Sequence, residues 1–172
     1  MDTNIITKFT IATEQAINAL LFLTKTIAAE KFSTILQQQK LEHYIDSNFS
    51  ESALIVEVNS MSNQWLVVYA NDTPVGFARI TSKGERPGVL ALKRAIRIAD
   101  FGILKAYANP AIIQSLFNKC WSVCKSYEAA WVNEYLESPF IGLFESEGFA
   151  KQDGVLELDE LPLQSVYLIK QL

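Results

Sequence analysis

The segment around Asn109 and Pro110 constrains the fold more than any other part of the sequence. An apolar run with strand character covers residues 92–104, and Asn109-Pro110 follows it as an N-cap and a first helical residue. The helix they open has apolar residues at helical spacing as far as Tyr127. A strand feeding an amphipathic helix is typical of a domain in which helices pack on a sheet.

Caps, turns and periodicity predict the remaining elements. The Asn71–Pro74 turn predicts a hairpin between strands at residues 65–70 and 75–81. Residues 50–60 are compatible with a strand or with a helix that starts at Ser50. Helix starts are predicted at Thr13, at the Thr34–Gln37 capping box and at Ser138-Pro139, with Gly148 ending the last helix. Further strands are predicted at residues 7–13, 129–135, 155–158 and 165–172. This order predicts an α/β or α+β layered domain with a mixed sheet.

Composition limits the functions that the chain can have. A length of 172 residues fits a single domain over residues 1–172, and 49% apolar residues exclude a disordered chain. The net charge of −4 argues against a nucleic-acid partner. The sequence has neither a signal-peptide pattern nor an apolar run long enough to span a bilayer, so we expect a cytoplasmic protein with no membrane partner.

The few cysteine and histidine residues limit the chemistry in the same way. Cys120, Cys124 and the single histidine, His43, do not make a tetrahedral metal site, so no metal is expected. Both cysteines lie on the apolar stripe of the helix that starts at Asn109, where we expect them to be core residues. His43 lies in a polar helical stretch and is expected to be exposed.

Three short motifs, together with the element order, point to one family. Residues 10–16 read TIATEQA, residues 75–80 read VGFARI, and residues 129–149 form a strand and helix that end in Gly-Phe. This pattern resembles the GNAT superfamily of N-acetyltransferases. The resemblance implies a three-layer domain with a central mixed, mostly antiparallel sheet flanked by helices. Residues 43–51 are similar to PaiA-type polyamine acetyltransferases, which favours a helix at residues 51–60.

The resemblance implies an enzyme that transfers an acetyl group from acetyl-CoA, as cosubstrate, directly to a primary amine. The acceptor would be a small amine or a peptide amine. In the family, the pantetheine arm inserts between two splayed parallel strands, and the diphosphate meets the start of the following helix. Carried over to this chain, the cofactor-binding residues are Gly102, Ile103, Leu104, Asn109, Ala111, Ile112 and Phe144.

The resemblance also implies a carboxylate base near the long strand. The catalytic candidates are Asp100 in that strand and Glu134 and Tyr135 in the neighbouring one. For Asp100 the alternative is an ion pair with Arg97 or Lys105. For Glu134 and Tyr135 the alternative is a position facing solvent.

Two departures from the family pattern support a competing hypothesis. The cofactor loop lacks the family's glycines, and Pro110 removes one N–H donor from the helix start. Phe144 stands where many members have a tyrosine that protonates the departing thiolate. The alternative function is therefore a catalytically degenerate GNAT-fold module that senses a ligand or binds a protein. The edge strands of such a sheet are compatible with a homodimer.

Overall fold

A computed structural model describes residues 2–158 and 161–172 of the chain. Its centre is an eight-stranded mixed sheet with the order β1-β2-β3-β4-β5-β8-β6, with β7 also paired to β8. Among the described residues only the pairing between β4 and β5 is parallel, so the sheet is mostly antiparallel, as expected. The strands are β1 (Ile5–Phe9), β2 (Asn63–Ala70), β3 (Thr73–Thr81), β4 (Ala95–Ile103), β5 (Ala129–Tyr135), β6 (Ala150–Lys151), β7 (Leu156–Glu157) and β8 (Gln164–Gln171).

In the described part of the chain, five α-helices cover the two faces of the sheet. The first three, α1 to α3, precede β2; α4 connects β4 to β5, and α5 follows β5. Helix α1 contacts β3, whereas α4 contacts β1, β2 and β3 from the opposite face. The helices are α1 (Glu14–Phe32), α2 (Gln38–Phe49), α3 (Glu51–Asn59), α4 (Pro110–Cys124) and α5 (Ile141–Ser146).

Local sequence signals explain the start of several elements. The Thr13 hydroxyl accepts a hydrogen bond from the Ala16 N–H, and the Ser50 hydroxyl accepts one from the Ala53 N–H, so both residues act as N-caps. The β2–β3 hairpin turns at Asn71 and Asp72, whose φ angles are +48° and +65°. These are the residue types that tolerate left-handed backbone in tight hairpins.

Both faces of the central strands are buried, which explains their nearly continuous apolar sequences. On the α4 face, α4 and α5 close a core that contains both cysteines. Burial raises the pKa of the Cys124 thiol to about 12 and also raises the pKa of Cys120, so both thiols stay protonated and act as small apolar side chains. His43 is exposed, as expected.

Two predicted helix starts are wrong. The Thr34–Gln37 capping box does not form, because the N–H groups of Ile35 and Leu36 turn back to the Phe32 carbonyl at the end of α1. Helix α2 consequently starts at Gln38. Ser138 accepts a hydrogen bond from the Phe140 N–H in a turn, so α5 starts at Ile141 rather than at Pro139.

Several strand boundaries also differ from the predictions. Strand β1 ends at Phe9 rather than Thr13. Strand β4 begins at Ala95 rather than at residue 92, because the chain before it is still turning, with the Lys93 N–H bonded to the Leu90 carbonyl. Strand β6 was not predicted; its two residues follow Gly148, which ends the last helix with φ +93°. Among the described residues, no helix is both long enough and apolar enough to cross a membrane.

Candidate active site

The parallel strands β4 and β5 separate after a short paired stretch. They pair only at three positions, from Ala95 opposite Ala129 to Arg97 opposite Trp131. Beyond them, residues 98–103 of β4 and 132–135 of β5 have no pairing with each other among the described residues. The gap exposes a row of β4 backbone groups that an extended ligand could pair with as an added strand would.

A β-bulge in β4 changes the face of the sheet to which side chains point at the start of this gap. Arg79 of β3 lies opposite Asp100, but the next residue, Ile80, lies opposite Ile98, which leaves Ala99 as the extra residue. The bulge interrupts the alternation of β4 and turns Asp100 toward the face that α1 covers, while Phe101 joins Ile98 in the α4-side core.

A cavity of about 790 Å³ lies between this part of the sheet and helices α1 to α3. Its lining includes all three catalytic candidates, Asp100, Glu134 and Tyr135. The structure therefore places these three residues in one cavity.

Asp100 is part of an ion-pair network that the sequence did not indicate. Its Oδ2 accepts a hydrogen bond from Arg79 Nε at 2.8 Å, and Arg79 Nη1 lies 3.3 Å from Glu57 Oε2 of α3. Lys83 Nζ reaches the other oxygen of Glu57 at 3.5 Å. The predicted pairing of Asp100 with Arg97 or Lys105 is wrong, because the cross-strand register brings Arg79 to its side instead.

Glu134 lies where β5 has separated from β4. Removal from water raises the pKa of its carboxyl, while the Lys31 ammonium and a hydrogen bond from Ser138 oppose that rise. Burial likewise raises the pKa of Tyr135, its neighbour, to about 12, so this phenol keeps its proton at neutral pH. The Tyr135 ring packs against Phe32 of α1 with 5.1 Å between centroids.

Lys31, near the end of α1, reaches across the gap. Its ammonium donates to the Phe101 carbonyl of β4 at 2.7 Å and lies 5.2 Å from the centre of the Phe140 ring beyond β5. It also interacts electrostatically with Glu134. One β4 carbonyl in the gap thus already has a donor, which an extended ligand would have to displace or leave in place.

The start of α4 offers fewer free donors than a typical helix N-terminus. Pro110 has no N–H, the Ile112 N–H is bound by the Asn109 side chain at 3.1 Å, and the Ile113 N–H bonds to the Asn109 carbonyl. Ala111 is exposed and sits in the first turn with no hydrogen bond from its N–H among the described residues. The helix start can therefore offer a diphosphate one N–H and the helix dipole. This binds the diphosphate more weakly than the several N–H groups of a glycine-rich loop.

The loop between β4 and α4 binds a carboxylate of the protein itself. Glu30, the residue before Lys31, accepts a hydrogen bond from the Lys105 N–H at 3.0 Å. The N–H groups of Tyr107, Ala108 and Asn109 bond to carbonyls within the same loop. The residues present thus fit the pantetheine arm of CoA through the unpaired β4 edge, and fit its diphosphate through Ala111 alone.

The other predicted cofactor residues occupy two environments. Gly102, Ile103 and Leu104 end β4 beside the gap, and a side chain at Gly102 would collide with Ile27 of α1, since an added Cβ would lie 2.5 Å from Ile27 Cγ2. Ile112 and Phe144 are almost fully buried in the α4-side core, where the Phe144 ring packs against Phe101 and Phe149. Among the described residues, no group of three or more His, Cys, Asp or Glu side chains is arranged to hold a metal ion.

The fold described above is also found in known proteins. The structure of a PaiA N-acetyltransferase from Thermoplasma acidophilum in complex with coenzyme A is similar over 100% of both chains, with a TM-score of 0.76 and 12% identity. This chain has the GNAT fold. The structural match to PaiA agrees with the likeness seen at residues 43–51.

Two further GNAT structures show how widely this fold is shared. A GNAT family acetyltransferase from Elizabethkingia anophelis with acetyl-CoA bound matches with a TM-score of 0.59 and 11% identity, covering 98% of this chain and 99% of that one. The ribosomal-protein-S18-alanine N-acetyltransferase from Escherichia coli matches with a TM-score of 0.63 and 9% identity, covering 96% and 94%. No protein-family model and no curated protein matches the chain in sequence.

Sequence reasoning missed the cavity residues that come from outside β4 and β5. Arg79 lies inside the VGFARI motif, but a single arginine in a strand does not reveal its partner. Glu57 lies in residues 50–60, which the sequence left open between strand and helix. Lys31 lies beyond the predicted end of α1. One sequence signal did point to Arg79: a charged residue in an otherwise apolar strand needs a partner when it is buried.

We expect Arg79→Met to lower the free energy of unfolding by about 2–4 kcal/mol. The change leaves Asp100 without its ion-pair partner and removes one of the partners of Glu57, while these two side chains are only 16% and 29% exposed. The matched control is Lys83→Met, since Lys83 also pairs with Glu57 but is 49% exposed, and its loss is expected to be below about 1 kcal/mol. Urea unfolding measures both values, and equal losses would contradict the central position given to Arg79.

Proposed function

We propose that this chain is an acetyltransferase that moves an acetyl group from acetyl-CoA to a primary amine by direct transfer. The proposal covers residues 1–172 as one domain. The observation that carries it is the gap between β4 and β5, which opens beside a cavity lined by Asp100, Glu134 and Tyr135. A binding groove for an extended acyl donor and a polar cavity for an acceptor thus meet at one place.

In this proposal Glu134 is the general base. Burial raises the pKa of its carboxyl above the ordinary value, which makes the ionised carboxylate a stronger base. It accepts a proton from the acceptor ammonium. The amine nitrogen then forms a bond to the acetyl carbon as the carbon–sulfur bond breaks, and the electron pair leaves with the CoA sulfur. The second proton that the nitrogen loses replaces the one that Tyr135 gives to the thiolate, and Glu134 returns the first proton to solvent.

Asp100 and Tyr135 have different roles in the same proposal. The Asp100 carboxylate is engaged by Arg79 at 2.8 Å, so in this proposal it shapes the cavity wall and adds negative charge beside the amine. The Tyr135 phenol, whose pKa is about 12, remains protonated and is the candidate donor to the departing thiolate. It would supply the proton that Phe144, at the position of the family's tyrosine, has no group to give.

The position of the gap indicates where each predicted cofactor-binding residue would lie relative to acetyl-CoA. The β4 end at Gly102, Ile103 and Leu104 would lie along the pantetheine arm. Asn109, Ala111 and Ile112 would form the helix start that faces the diphosphate, with Ala111 supplying the N–H. Phe144, buried in the α4-side core, would support the gap through Phe101 rather than contact the thioester.

Release of free thiol from acetyl-CoA tests the proposed function. The protein is mixed with acetyl-CoA and a panel of small primary amines and peptides with free amines, thiol is followed with a chromogenic disulfide, and the acetylated amine is identified by mass. We expect thiol release that requires both protein and amine. If no amine in the panel gives release above the rate without protein, the acetyltransferase proposal is wrong, and the degenerate-module hypothesis replaces it.

A further inference from the structure

A primary amine of the protein itself lies at the proposed site of transfer. The Lys31 side chain lines the cavity together with Glu134 and Tyr135. Its Nζ donates a hydrogen bond to the Phe101 carbonyl at 2.7 Å. Phe101 belongs to residues 98–103, the part of β4 that has no pairing with β5 among the described residues. The amine is therefore held at the strand edge along which an extended acyl donor would lie.

Packing fixes the end of α1 against the end of β4. Lys31 follows Ile27 by one helical turn, and an added Cβ at Gly102 would lie 2.5 Å from Ile27 Cγ2, so helix and strand are in close contact there. The Glu30 carboxylate accepts a hydrogen bond from the Lys105 N–H at 3.0 Å, which ties the same helix end to the loop after β4. The position of the Lys31 amine is consequently set by the packing of the helix as well as by its own hydrogen bond.

The hydrogen bond to Phe101 leaves the amine able to react. A lysine ammonium has three N–H donors, and one of them meets the Phe101 carbonyl. Loss of a proton from either of the others leaves a lone pair that points away from that carbonyl. Glu134, the base in the proposed function, lies close enough to Lys31 for an electrostatic interaction between their charges. The hydrogen bond thus orients a nucleophile that has a base within electrostatic reach.

We propose that Lys31 Nζ is itself an acetyl acceptor, so that the protein acetylates its own chain at this position from acetyl-CoA. The inference rests on the proposed acetyltransferase function and adds a modification site to it. Glu134 accepts one proton from the Lys31 ammonium. Nζ then forms a bond to the acetyl carbon as the carbon–sulfur bond breaks, and the electron pair leaves with the CoA sulfur. The second proton that Nζ loses replaces the one that Tyr135 gives to the thiolate, and Glu134 returns the first proton to solvent.

Incubation of the protein with acetyl-CoA and no added amine tests the inference. Intact mass follows the number of acetyl groups per chain, and peptide mass spectrometry locates them. We expect Lys31 to be acetylated at least about tenfold faster than Lys25, because its amine is already held beside the donor. Lys25 lies on the same helix at an exposed position and measures the uncatalysed reaction of a lysine with the thioester. The rate per chain should not depend on protein concentration, since base and acceptor belong to one chain.

Two variants separate the assigned acceptor and base from general chemical acetylation. Lys31→Arg keeps a positive charge and a donor for the Phe101 carbonyl, but a guanidinium does not lose its proton to become a nucleophile. The fast acetylation should therefore be lost in this variant, and only the slow reaction of exposed lysines should remain. Glu134→Gln should slow Lys31 acetylation by a factor of about 10² or more. Both variants should leave the acetylation of Lys25 unchanged.

Three results would each overturn the inference. They are acetylation of Lys31 no faster than that of Lys25, a rate per chain that rises in proportion to protein concentration, and equal rates in the wild type and Glu134→Gln. In these cases the acetyltransferase function stands if an amine of the panel gives thiol release. Lack of both self-acetylation and amine-dependent thiol release overturns both proposals together.

Discussion

Replacing Phe117 by alanine is expected to lower the free energy of unfolding by about 3–5 kcal/mol. The Phe117 side chain is fully buried, and its ring stacks on Phe101 at 4.5 Å and on Trp121 at 5.7 Å. It also meets Phe144 edge-on at 5.5 Å. Removing it takes away buried apolar area and leaves a cavity whose aromatic walls cannot collapse without losing their own contacts.

Urea unfolding of the wild-type protein and two variants measures this effect. The matched control is Phe22→Ala on α1, because Phe22 is 52% exposed and its loss is expected to stay within about 1 kcal/mol. A loss for Phe117→Ala no larger than that for Phe22→Ala would contradict the packing between α4 and the sheet. Since Phe101 borders the β4–β5 gap, we also expect any acetyl-CoA affinity to fall in the Phe117 variant.

Glu134→Gln is expected to lower kcat by a factor of about 10²–10⁴, the range usual for removal of a general base. The substitution keeps the size of the side chain and removes only its ability to accept the proton of the ammonium. In the wild-type protein the rate should rise with pH through the raised pKa of Glu134, because only the ionised carboxylate acts as a base. That rise should disappear in the variant.

Stability separates this chemical role from a structural one. The folded state raises the pKa of Glu134 above its unfolded value, so ionisation destabilises the folded state progressively as pH rises from the unfolded pKa through the folded one. Glu134→Gln should therefore unfold at pH 7 with a free energy no lower than that of the wild type. The exposed neighbour Glu137→Gln is the matched control for activity. A kcat for Glu134→Gln equal to that of this control would exclude Glu134 as the base.

The elements that the sequence predicted well are those with local causes. Thr13 and Asn109 cap helices through their own side chains, and β5 has the predicted bounds at Ala129 and Tyr135. The GNAT fold followed from the order of such elements. The failures at Thr34 and Ser138 have a common reason: each residue carries the chemistry of a helix cap, but the chain around it forms a turn first.

The candidate site was predicted only in part, because its geometry depends on contacts far apart in sequence. The gap between β4 and β5 and the cavity beside it could be expected from the family resemblance. The pairing of Asp100 with Arg79 could not, since it depends on strand register and on the bulge at Ala99. The reach of Lys31 to the Phe101 carbonyl depends on where α1 ends against the sheet, which periodicity does not determine.

Binding of acetyl-CoA in the gap is the central claim, and isothermal calorimetry tests it most directly. We expect binding of one acetyl-CoA per chain. Ala111→Glu should weaken it about tenfold or more, because it places a carboxylate beside the diphosphate at the N–H of the α4 start that has no partner among the described residues. Asn118→Glu, exposed farther along the same helix, should leave the affinity unchanged. Lack of binding at millimolar acetyl-CoA, or equal affinity in the Ala111 variant and the wild type, would contradict this account.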